Sequence, residues 1–106
     1  MNNDVKNISD KKCSMHKNIC EYLTEIYTRK NSDYGDSFSS LRKEFPEAIL
    51  VRIGDKYNRL KTIYKNGECT VKNEPISDTL LDLANYCIME LIEITLEEAK
   101  YNEVIE

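Results

Sequence analysis

Apolar residues recur along this chain at helical spacing, and the recurrences divide it into four helices. Over residues 12–30, His16, Ile19, Cys20, Leu23, Ile26 and Tyr27 return every three or four positions, which predicts a helix with one apolar stripe. Residues 1–11 are polar and are expected to be flexible, with Ser9 or Asp10 able to cap this first helix. Residues 38–45 predict a short helix ended by Pro46, which suits the first turn of the next one. That third helix is expected over 47–65, with Ile49, Ile53, Leu60 and Tyr64 as its core stripe and Leu50 and Tyr57 beside it. The last helix opens near Glu74-Pro75-Ile76-Ser77 and runs to about Lys100, with Leu80, Ala84, Cys87 and Leu91 as the expected core face. Ile94 and Thr95 continue that stripe, while Met89 and Leu96 make the second half apolar nearly all round. A helix of that kind is covered on more than one side, and in a short chain a second subunit is the natural cover. Residues 102–106 are expected to fray.

The breaks between these stretches carry turn chemistry. In 31–38, Gly35 allows a positive-φ turn and Asp36 or Ser37 can cap the short helix. Asn66-Gly67 is a strong turn signal, and 68–72 reads as a short extended or hairpin-like connection. Asn73 or Ser77 can cap the last helix. The expected fold is therefore all-α: a four-helix bundle-like protomer, one helical domain over 12–101, assembled as a dimer or tetramer.

Composition narrows the function classes. A chain of 106 residues at 41% hydrophobic content builds one small core. Its net charge of −4, with acids and bases interspersed, argues against direct nucleic-acid or anionic-membrane binding but leaves room for a small anion held by chosen bases. No apolar run approaches a membrane span or a signal peptide, so a cytoplasmic location is expected. The cysteines, 4 in number, form no CxxC pair and are expected to be reduced and mostly buried.

Candidate chemistry lies on the last two helices. Arg52, Asp55 and Arg59 share one face of the third helix with Lys56 at its flank. They form either a surface ion-pair ladder or a basic strip for phosphate. Asp78 and Asp82 stack one turn apart, with Asn85 beside them. Two aligned carboxylates can hold Mg²⁺, whose other sites go to water and phosphate oxygens, and Asp55 could join them. The dipole at a helix N-terminus accounts for Asp78 without a ligand but does not reach Asp82. Tyr34 is available for stacking, and Ser37 stands at a helix start whose N–H groups can receive an anion; the bland alternative is a connecting loop and cap. On the first helix, Glu21 and Glu25 read as a solvated face and Cys13, His16 and Cys20 as a core edge. A metal pair or a zinc half-site is the sharper alternative for each.

Three blocks carry a family resemblance: Tyr34-Gly35-Asp36-Ser37-Phe38, then 52–61 (Arg-Ile-Gly-Asp-Lys-Tyr-Asn-Arg-Leu-Lys), then 74–86 (Glu-Pro-Ile-Ser-Asp-Thr-Leu-Leu-Asp-Leu-Ala-Asn-Tyr). In this order they resemble the phage and prophage family called nucleotide modification associated domain 1. The resemblance spans roughly 22–93. It implies a small helical protein connected with nucleotide metabolism or base modification. More distantly, the chain resembles the all-α nucleotide pyrophosphatases of the MazG and dCTP pyrophosphatase group. Their metal site pairs an ExxE motif on one helix with ExxD on the next. Asp82 fits the final Asp, Thr79 stands where the Glu belongs, Asp78 is displaced by one, and Asp55 and Asn58 stand as DxxN for ExxE.

Three functions are expected on these grounds. The first is a binding module that takes a nucleotide or nucleotide-derived ligand through Arg52, Lys56, Arg59, Tyr34 and Ser37. The second is a Mg²⁺-dependent nucleoside triphosphate pyrophosphatase with Asp55, Asp78 and Asp82 on the metal and Asn85 behind them. The third is a non-catalytic interaction subunit in which those acids and bases only pair with one another.

Overall fold

The described residues form four helices and one short hairpin, in the order α1 (Asn2–Tyr34), α2 (Ser37–Glu44), α3 (Ala48–Lys65), β1 (Thr70–Val71), β2 (Glu74–Pro75) and α4 (Ile76–Ile105). The computed structural model describes the backbone of residues 2–34, 36–67, 70–71 and 74–105, and the side chains of 7–32, 36–67 and 76–103. Residues 1–35 and 36–106 make two separate units. The all-α expectation holds, and the connection before the last helix is a hairpin: β1 and β2 pair antiparallel, Thr70 opposite Pro75 and Val71 opposite Glu74.

The first unit is α1, which begins at Asn2 rather than near residue 12. Of its expected stripe, Leu23 is buried at 5% exposure and Ile26 and Tyr27 are half-buried, whereas Ile19 is 50% exposed and His16 and Cys20 face solvent. Cys20 Sγ lies 3.7 Å from His16 Nδ1, and the Thr24 hydroxyl donates to the Cys20 carbonyl at 3.1 Å. Cys13, Cys20 and Cys87 are all exposed thiols, which corrects the expectation that they are mostly buried.

In the second unit, each helix boundary has a local cause. Asp36 caps α2 by accepting from the Ser39 N–H at 3.4 Å. Phe45 ends it in an extended conformation, the one favoured before a proline. Pro46 and Glu47 form a turn, so α3 starts one residue later than expected, at Ala48. At its other end Asn66 N–H donates to the Thr62 carbonyl, and Gly67 adopts φ 68°, the left-handed conformation that terminates a helix without Cβ strain. Pro75 immediately precedes α4, where its missing N–H costs nothing, and Ser77 lies inside the first turn. Gly35, Cys69 and Asn73 lie outside the described residues.

The core of this unit forms where α4 packs on α3, with α2 against α3. Ile63 (1% exposed), Ala48 (6%) and Phe38 (7%) are buried there with Thr79 (0%). This corrects the expected α4 core face. Leu80 is 46% exposed, Leu91 61%, and Cys87 faces solvent. On α3 the buried line likewise shifts: Ile49, Ile53 and Leu60 are half-buried, while Tyr64 is 70% exposed. The physical reason is that short α2 and α3 cover only one side of a 30-residue helix. The side they cover is the one whose acids and aromatic ring meet their bases.

The two helix-associated glycines separate by conformation. Gly54 lies inside α3 with open space where a Cβ would stand, so Gly54→Ala is expected to stabilise by up to about 1 kcal/mol. Gly67→Ala, at a positive φ, is expected to cost about 1 kcal/mol. Urea midpoints of the two variants check this. A gain at Gly67 or a loss at Gly54 would contradict these assignments.

Candidate functional site at the junction of the third and fourth helices

On α3, Arg52, Lys56 and Arg59 stand one turn apart along one line of the helix; on α4, Asp82, Tyr86 and Glu90 do the same. The two lines meet. Lys56 Nζ is 3.0 Å from Asp82 Oδ2, with side chains 12% and 27% exposed. One turn further, the Arg52 guanidinium lies 5.7 Å from the centroid of the Tyr86 ring, a cation–π distance. Beyond it, Arg42 of α2 grips Glu90 with a two-pronged fork, Nε to Oε1 at 2.9 Å and Nη2 to Oε2 at 3.0 Å. Its remaining Nη1 donates to Glu97. One side of α4 thus receives a cation at each of three successive turns. Arg59, Asp82 and Asn85 each make an interaction besides these.

The electrostatics follow from these contacts. Hydrogen bonds to Glu90 and then to Glu97 hold the Arg42 guanidinium above its ordinary range. The Arg42 hydrogen bond holds the Glu97 carboxyl below the usual glutamate range. Arg42 and Glu90 are largely shielded, with side chains 14% and 18% exposed, while Glu97 is 63% exposed. The Thr79 hydroxyl, on the same side of α4 as Asp82, is fully buried and has no hydrogen-bond partner.

The structure brings together some of the expected site residues and not others. Lys56 and Asp82 pair directly, and Arg52 and Arg59 lie on the same line of α3. Asp55 is exposed on α3, and Asp78 is exposed in the first turn of α4. Ser37 is exposed at the start of α2, and the Tyr34 side chain lies outside the described residues. Among the described residues no three His, Cys, Asp or Glu side chains gather closely enough to hold a metal ion. Asp82 is turned to the Lys56 ammonium and Thr79 is buried, so the described residues do not gather the carboxylate oxygens that Mg²⁺ takes. The same holds for Cys13, His16 and Cys20 as a zinc half-site.

Sequence reasoning missed Arg42, Glu90, Glu97 and the role of Tyr86. Arg42 stands in a short helix with no charge pattern of its own, and its partners lie 48 and 55 positions away. The one available signal was the i, i+4, i+8 line of Asp82, Tyr86 and Glu90, which tracks a single helix face as closely as the apolar stripe does.

Residues 30–94, more than half of the chain, match the protein family described as nucleotide modification associated domain 1. No curated protein and no solved structure matches the chain. Among the described residues no helix is long and apolar enough to cross a membrane.

Two outcomes are expected from this geometry. Because the Glu97 carboxyl is held low in the folded state, its bond to Arg42 stabilises fully above the ordinary glutamate range. That contribution is lost as pH falls through and below the ordinary glutamate range, where the unfolded chain takes up its proton first. The melting temperature should therefore fall more steeply over that window in the wild type than in Glu97→Gln; parallel curves would remove Glu97 from the acid response. Separately, Thr79→Val discards a buried hydroxyl without a partner and is expected to stabilise by about 1 kcal/mol in chemical denaturation.

Proposed function

The chain belongs to the nucleotide modification associated domain 1 family, and we propose that it binds the phosphates of a nucleotide or nucleotide-derived ligand along the α3–α4 junction. The observation that carries this reading is the Lys56–Asp82 pair, flanked one turn away on α3 by Arg52 and Arg59. A partly shielded ammonium with a carboxylate partner can exchange that partner for a phosphate oxygen. Asp82 then acts as the placeholder that keeps Lys56 oriented before the ligand arrives. Arg52, exposed above the Tyr86 ring, offers a planar fork that suits phosphate geometry, and stacking on the ring restrains it at little cost. In a chain of net charge −4 these few bases must recognise the anion by local geometry rather than by a general field.

Binding without cleavage is the form of the reading that the donor set favours. Hydrolysis of a triphosphate by metal-activated water needs several carboxylate oxygens on one ion, and the described residues do not gather them. No hydrolytic step is assigned to these residues. The interaction-subunit reading rests on the same ion pairs taken as purely internal, and a ligand assay separates the two.

A panel of nucleoside mono-, di- and triphosphates is expected to raise the melting temperature in a concentration-dependent way for at least one ligand class. Lys56→Ala and Arg52→Ala should each weaken that binding about tenfold, or about 1.4 kcal/mol, with unchanged helical content. No shift at millimolar ligand across the panel would leave the pairs as internal contacts, and release of pyrophosphate or monophosphate would replace capture by catalysis.

A further inference from the structure

The side of α4 turned away from α3 carries a second pattern that the second unit does not use. Leu80, Leu91, Ile94 and Tyr101 are 46%, 61%, 37% and 66% exposed, and Cys87 and Ile88 face solvent between them. Leu80, Ala84, Cys87, Leu91, Ile94, Glu98 and Tyr101 are separated alternately by four and three positions. That is the 3.5-residue repeat of a coiled-coil seam, held over a length of about 33 Å.

We propose that this seam is covered by the same seam of a second copy of the chain, running antiparallel, with the twofold axis midway between Cys87 and Leu91. In that register Cys87 of one copy faces Leu91 of the other, Ala84 faces Ile94, and Leu80 faces Glu98. Small meets large in each central layer, which fills space evenly. A parallel pair would set Ala84 on Ala84 and Cys87 on Cys87, leaving voids, and would bring Glu98 against Glu98.

Two further observations agree with the register. Ile94, Glu97, Glu98 and Tyr101, with Asn102, line a shallow hollow. The first four, at i, i+3, i+4 and i+7, are the set that forms a hole for a knob from a facing helix. The antiparallel register delivers Leu80 of the second copy to that hole. An antiparallel pair also brings each edge of the seam against the same edge of its partner. One edge, Leu81, Ile88, Thr95 and Asn102, is uncharged. The other carries Glu90, which in this register meets Glu90 of the second copy, and Glu97, which meets Leu83; in each protomer Arg42 already holds both carboxylates. The bridge from α2 thus makes the acidic edge compatible with a twin. This inference rests on the outer face of α4 and stands or falls separately from the ligand reading.

Sedimentation equilibrium of the full chain should show a dimer with a concentration-dependent monomer fraction. Leu91→Asp changes a residue that is mostly exposed in the protomer, so its circular dichroism should match the wild type while dimer dissociation rises by about 100-fold or more. In Leu91→Cys, a short thiol-specific crosslinker should join the new thiol of one copy to Cys87 of another, identified by peptide mass. A chain that stays monomeric at every concentration overturns the proposal. A crosslink between the introduced thiols of two copies of Leu80→Cys, which the antiparallel register sets about 27 Å apart along the seam, overturns that register. A crosslink from position 87 or 91 to Cys13 or Cys20 within one chain would show that α1 of the same molecule is the cover, and would also overturn the proposal.

Discussion

The second unit depends on a row of cations laid along one side of α4: Lys56 on Asp82, Arg52 over Tyr86, and Arg42 on Glu90 and Glu97. Ion pairs that keep some contact with water add little stability one by one. Ile63, Ala48 and Phe38, removed from water, supply more, at about 1.5–3 kcal/mol for a fully buried large aliphatic side chain. The row contributes register. Rotating α4 by one position would strand the Lys56 ammonium and the Arg42 guanidinium, both largely shielded, without partners. A shielded charge left without its partner keeps its desolvation cost and loses the attraction that offset it, so the rotated arrangement is disfavoured. The charge pattern therefore decides which side of α4 faces inward.

That decision has two consequences. Polar groups that could meet a ligand are gathered on the inner side, where neighbouring helices hold them at fixed separations and their exposure is reduced. Apolar groups are left on the outer side, where they form a continuous heptad line. A chain of 106 residues with so few fully buried hydrophobic side chains among those described has a small core, and the outer line is apolar surface that the second unit leaves uncovered. Ligand handling and self-association would thus use opposite sides of one helix. Arg42 touches both: it closes the inner row and neutralises the edge of the outer seam.

The orphan hydroxyl of Thr79 shows the cost of this arrangement. It sits at the most buried point of the α3–α4 contact, one turn before Asp82, with no group to bond. A valine would fill that space without the penalty. The α3–α4 contact closes around the short Thr79 side chain, and Asp82 turns to Lys56.

The sequence alone determined the helices, the turns and the family. Apolar spacing located α2, α3 and α4 within a few residues, because periodicity is a local property written into each stretch. Asn66-Gly67 marked the end of α3 because only glycine enters the left-handed conformation at no steric cost. The 52–61 and 74–86 blocks identified the family, since motif order survives in one dimension. Only the tertiary structure decided which side of α4 is the inside. Two stripes compete on that helix, one apolar at Leu80, Ala84, Cys87 and Leu91, one mixed at Asp82, Tyr86 and Glu90, and periodicity scores them alike. The choice fell to Lys56, Arg52 and Arg42, which lie 26, 34 and 48 positions from their partners. Such pairings depend on where three helices meet in space, and no window of local sequence contains that.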